Sequence, residues 1–170
     1  KQHIHHFSEQ PEYSKEYQIS TEKPITAKVY VIDDAELDRV KNNYPVMWKD
    51  KNATPKLCFV GCPHLSYDQL VEWTENVCES LKKNGRSKVS IPTVFTAAPA
   101  VVEKFNATPN AAKLKATGVV LSYICPLMYM NNPLAGKMPV ITNSNKLRTY
   151  TTSRYYTSAE ILDIITKEAK

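Results

Sequence analysis

The sequence predicts an α/β domain built on a mainly parallel sheet covered by helices on both faces. Two observations carry that prediction. Short, almost wholly apolar runs alternate with amphipathic stretches of helical period, as strands buried on both faces require. Helix caps and stops then punctuate the order strand, helix, strand, helix, strand, helix, strand, strand, helix. With 170 residues, one such domain closes a core without disulfides or a structural metal.

Residues 1–24 are polar and aromatic, with Pro11 and Pro24 as breakers, and form a loop-like lead-in to a single domain over 1–170. Residues 25–32 alternate around β-branched side chains, which predicts a strand. Asp33 or Asp34 then caps a helix running to about Lys41. A connection from Pro45 to Pro55 leads into a buried strand over 56–60, closed by Gly61. Ser66-Tyr67-Asp68-Gln69 has capping-box form. The helix behind it sets Leu70, Trp73, Val77 and Leu81 on one face and stops at Asn84-Gly85.

Residues 91–96 form the next strand. Pro99 suits the first turn of a helix over 99–105, and a second short helix covers 110–116. Gly118 leads into an apolar strand over 119–124, and 138–142 forms another. Thr157-Ser158-Ala159-Glu160 is a second capping box. It opens a C-terminal helix that turns Ile161, Leu162, Ile164 and Ile165 inward.

Composition removes several classes. Hydrophobic residues make up 42% and charged residues 23%, a globular balance rather than a disordered one. No apolar run reaches the roughly 20 residues needed to span a bilayer, and no signal peptide is present. The chain starts at Lys1, as a processed chain or fragment would. The net charge of +5 comes without a dense basic run, which argues against nucleic acid as a partner. The four glycines, Gly61, Gly85, Gly118 and Gly136, fit neither glycine-rich phosphate-loop pattern. Cys58, Cys62, Cys78 and Cys125 sit inside apolar patterns and read as cytoplasmic thiols or ligands. His3, His5 and His6 read as a polar terminus rather than a metal site.

In a parallel sheet the working residues collect at the carboxyl ends of the strands. Three ends carry chemistry here: Gly61-Cys62-Pro63-His64-Leu65-Ser66, then Cys125-Pro126, then Asn143-Ser144-Asn145-Lys146. Cys62 precedes a helix N-terminus, whose positive end favours thiolate, the form that attacks electrophiles or binds soft metals. Packing as a small apolar residue is its alternative. Cys125 has the same two readings. Cys58 in a strand and Cys78 in a helix read as core. His64 suits a base, a ligand or a structural role. Lys146 suits an anion-binding role or a solvated one.

These segments resemble the aconitase X family. Gly-Cys-Pro-His-Leu-Ser at 61–66, a strand ending in Cys125, and Thr142-Asn143-Ser144-Asn145-Lys146 with Tyr150 follow the family's order, and residues 3–11 resemble its upstream segment. The resemblance implies an aconitase-like fold and the C-terminal part of a larger catalytic region, completed by an N-terminal part and a small swivelling domain or subunit. It implies an iron–sulfur-dependent hydro-lyase acting on a small anionic hydroxy-acid such as cis-3-hydroxy-L-proline or mevalonate 5-phosphate. Cys62 and Cys125 match cluster cysteines, with the third expected outside this chain. His64 and Ser66 match catalytic positions beside the cluster. Asn143, Ser144 and Lys146 match positions that bind the substrate's anionic group.

Tyr123-Ile124 stand where the family commonly has Asp-Thr, and Leu147-Arg148-Thr149 also depart from its pattern. Those departures leave room for a non-catalytic aconitase-like binding module. A cysteine-dependent enzyme using Cys62 as nucleophile and His64 as base is the other alternative.

Overall fold

A computed structural model describes residues 30–168. The chain divides into two compact units, 1–40 and 41–170. Described residues of the first include Tyr30–Ile32, which are exposed and not in a strand, and most of α1 (Asp34–Asn43). The rest of the strand expected over 25–32, and His3, His5 and His6, lie outside the described residues.

The second unit holds a five-stranded sheet: β1 (Leu57–Leu65), β2 (Thr93–Ala97), β3 (Val120–Ser122), β4 (Val140–Thr142) and β5 (Arg154–Tyr155). Every strand pairing is parallel, in the order β3-β2-β1-β4-β5. The chain steps outward from β1 through β2 to β3, then returns across the sheet to β4 and steps outward again.

That reversal sorts the helices, because right-handed crossovers running in opposite directions leave the sheet on opposite faces. α2 (Tyr67–Lys83), α3 (Pro99–Asn106) and α4 (Pro109–Ala116) follow β1 and β2. With α7 (Ser158–Thr166) they enclose the larger core: Cys58, Val60, Leu70, Trp73, Val77, Phe95, Phe105, Leu114, Ile161 and Ile165. Trp73 meets Phe95 edge-on at 5.4 Å between ring centroids. On the other face, α5 (Pro126–Met130) and α6 (Asn145–Tyr150) close a smaller core of Phe59, Cys62, Met130, Val140 and Leu147. Helices therefore cover both faces of a parallel sheet, as the apolar strands predicted.

Local chemistry explains the helix starts. Ser66 Oγ accepts from Gln69 N while Gln69 Oε1 accepts from Ser66 N, and Thr157 and Glu160 form the same reciprocal cap on α7. Pro99, Pro109 and Pro126 open α3, α4 and α5, where a missing N–H costs nothing. α5, α6 and β5 had no counterpart in the sequence reading. Each has six residues or fewer, too short to show a period.

Candidate functional site at the switch point

The direction reversal leaves β1 and β4 as neighbours whose outgoing connections diverge. A crevice opens beyond the carboxyl ends of such a pair. Its shape here follows from an interruption of β1. The β1–β2 ladder runs to Val60 opposite Phe95 and resumes at Leu65 opposite Ala97. Gly61, Cys62, Pro63 and His64 therefore stand against the single residue Thr96, a bulge that turns side chains out of the sheet.

Gly61 makes the bulge feasible. Its φ is +110°, and an added Cβ would lie 2.3 Å from Thr96 O. Thr96 Oγ1 donates to the Gly61 carbonyl at 2.6 Å and pins the turn from the neighbouring strand. The Cys62–Pro63 peptide is cis.

The bulge forms one side of a cleft of about 340 Å³. α2 contributes Gln69, Glu72, Trp73 and Asn76, Asn143 comes from the end of β4, and Ser158 and Leu162 come from α7. Asn143 Nδ2 donates to Ser158 Oγ at 3.2 Å, tying the β4 end to the α7 start. The first turns of α2 and α7 both reach this cleft, because each follows the carboxyl end of a parallel strand. Two positive helix ends favour an anionic ligand. Side chains of the lining residues bring one carboxylate, one imidazole, three amides, a hydroxyl, a thiol and an indole N–H.

Of the residues singled out from sequence, Cys62, His64 and Asn143 line this cleft. His64 is exposed and Asn143 half-buried. Cys62 is only 8% exposed and packs in the smaller core. Its packing thus lies on the face of α5 and α6, rather than on that of α2, the helix whose N-terminus sequence reasoning paired with it. Cys125 caps α5 just beyond β3 and is half-buried. Parallel strands end on one edge of a sheet, so Cys125 lies on the same rim as Cys62. Leu127 and Tyr129 of α5 also pack against the core that contains Cys62.

Other predicted residues stand apart from the cleft lining. Ser66 is the N-cap of α2. Ser144 is buried as the N-cap of α6, its Oγ accepting from Leu147 N at 2.9 Å. Lys146 is exposed in the first turn of α6. Among the described residues, no three of His, Cys, Asp and Glu are grouped to hold a metal ion. Cys58 is a core thiol, fully buried, whereas Cys78 is only half-buried on α2 and belongs to neither core, against the sequence expectation; burial pushes both thiols upward, Cys58 far more. Gln69, Glu72 and Asn76 are additions that sequence reasoning missed. Their spacing puts a polar stripe on α2, which from sequence alone matches any solvated helix face.

The family model for the aconitase X third domain matches residues 55–166, more than half of the chain. No curated protein sequence matches it. Among solved structures, the holo-form of Thermococcus kodakaraensis aconitase X is similar, with a TM-score of 0.61 and 21% identity. The match covers 83% of this chain and 36% of that one. The likeness shows the fold, and this chain spans about a third of its neighbour's length.

Proposed function

Because the chain belongs to the aconitase X family, we propose that its switch-point cleft is part of a hydro-lyase site that dehydrates a small anionic hydroxy-acid. The carrying observation is that His64 of the first motif and Asn143 of the last line one cleft, faced by the first turns of α2 and α7. Substrates of the cis-3-hydroxy-L-proline or mevalonate 5-phosphate kind suit such a cleft, because each carries the negative charge that two helix N-termini favour.

Cys62 and Cys125 would hold an iron–sulfur cluster. Both are thiols on the same rim, and thiolates are the ligands such clusters take. The described residues supply no third ligand beside them, so the third comes from the remaining N-terminal catalytic part. When bound, the cluster supplies a Lewis acid for the substrate's hydroxyl. His64, at the exposed mouth, holds a proton where the leaving hydroxyl needs one. Ser66, outside the cleft lining, acts through the first turn of α2, which its cap holds toward the cleft. Asn143 binds the substrate's anionic end from the cleft lining. Ser144, the buried cap of α6, and Lys146, exposed in its first turn, lie outside that lining and serve this end only by fixing the β4–α6 turn and by adding positive charge. A small swivelling domain or subunit closes the site against water.

The test uses this chain assembled with those remaining parts. Cys62→Ser and Cys125→Ser should each lower bound iron and acid-labile sulfide and abolish turnover. His64→Ala should leave iron content intact and lower kcat by roughly 100-fold. Unchanged iron and turnover in Cys62→Ser would overturn the proposal.

A further inference from the structure

A second cleft lies on the other flank of the α7 start. Glu160, two residues after the Ser158 that lines the first cleft, lines this one, together with Lys41, Arg148 and Arg154. Its cations are unusually organised. The Arg148 guanidinium sits over the Tyr44 ring at 3.9 Å and over Tyr155 at 4.9 Å. The Arg154 guanidinium lies 5.6 Å from Trp48 and 5.3 Å from Tyr156. Aromatic faces on both of these groups fix their planes and reduce the rotamer freedom a ligand would have to freeze.

Among the described residues, their hydrogen bonding leaves donors without a partner. Arg148 donates Nε to Asn145 Oδ1 and one terminal nitrogen to Lys41 O. Arg154 donates one terminal nitrogen to Lys51 O at 3.3 Å. The ion pairs among the described residues are Arg39 with Glu36 and Lys167 with Asp163, so no described carboxylate is in direct contact with either arginine. Glu160, the one acid among the described lining residues, accepts through Oε2 from both the N–H and the hydroxyl of Thr157. Three cations against one carboxylate in the described lining leave an excess of two positive charges.

We propose that this cleft is an anion site that binds a phosphate group, held by the remaining N–H donors of Arg148 and Arg154 with Lys41 beside them. The guanidinium fork matches the geometry of phosphate oxygens, and the charge excess matches a dianion. Inorganic phosphate and the phosphate of a small monoester present the same chemistry. The site shares no lining residue with the switch-point cleft, so it stands or falls apart from the dehydratase reading.

Calorimetric titration of the full chain with inorganic phosphate, and separately with glycerol phosphate, tests it. Saturable binding of either is expected, and the tighter ligand identifies the source. Arg148→Gln and Arg154→Gln should each weaken binding at least about tenfold, the loss of one charge-assisted hydrogen bond. Circular dichroism checks that each variant folds. If either does not, Lys41→Gln, which removes a charge but no ring contact, should weaken binding severalfold. A distant control, Lys82→Gln, should not. No saturable binding of either probe, or binding that none of the folded cleft variants weakens, would overturn the proposal.

Discussion

At the scale of single residues, the β1 bulge depends on Gly61 more than on the chemically richer residues after it. Its φ of +110° is open to glycine, and Thr96 leaves no room for a side chain there. Gly61→Ala should destabilise the fold by about 2–3 kcal/mol, through backbone strain and overpacking against Thr96. Urea denaturation reads the loss. A stability within 0.5 kcal/mol of the parent, about the spread of ordinary surface substitutions, would mean the bulge relaxes freely. The residues best read in advance were those whose position in a motif also fixed their position in space: Cys62, His64 and Asn143 come off strand ends and line the cleft. Ser66 and Ser144 show why the rest were less legible. A serine before a helix serves as a cap with the same side chain that would touch a ligand, and only coordinates show which contacts it makes.

Elements obey the same division. The β1–α2 unit was readable because α2 is 17 residues long, carries a reciprocal cap and buries Leu70, Trp73, Val77 and Leu81 on one face. The strand order was not readable, because it depends on β5, two residues long, and on the crossing from β3 to β4. α7 offers a measurement at this scale. Hydrogen bonds from the Thr157 backbone and side chain, helped by Lys41 and Arg154, hold the Glu160 carboxyl below its ordinary range. A folded value below the unfolded one means the unfolded chain binds more protons in acid, so stability rises with pH there. That contribution is present above an unfolded value of about 4.3 and is lost as pH falls through the folded one. Glu160→Gln keeps an oxygen acceptor for the cap but does not titrate. The stability difference between parent and variant should therefore shrink as pH is lowered from about 6 to 3, followed by thermal melts. Thr157→Ala should cost about 1 kcal/mol at neutral pH and flatten the same pH dependence. A gap that stays constant with pH would remove Glu160 from the cap's energetics.

For the whole molecule, the informative features are what its surface leaves uncovered. Val120 in edge strand β3 and Tyr123, Ile124 and Met128 just past it are exposed apolar side chains. All four lie within five residues of Cys125 along the chain, where the sequence also departs from the family's polar pair. An apolar patch beside a half-buried thiol fits a rim covered by another part of a larger catalytic region, and the chain spans only about a third of its structural neighbour. The same incompleteness limits the metal chemistry. If Cys62 and Cys125 are two of three thiolate ligands, the chain alone after incubation with iron and sulfide should retain far less than one cluster per molecule. Adding the remaining catalytic part should restore it. Iron and sulfide assays with visible absorbance would follow both states. A full, stable cluster on the isolated chain would require a third ligand within these 170 residues, and the remaining cysteines are poor choices. Ligation needs thiolate, yet burial pushes the Cys58 thiol strongly upward from inside β1, and Cys78 is raised in the same direction on α2. Cys58→Ala and Cys78→Ala should consequently leave the iron content of the assembled protein unchanged while Cys62→Ser and Cys125→Ser deplete it, a contrast that a nonspecific thiol–iron deposit would not produce.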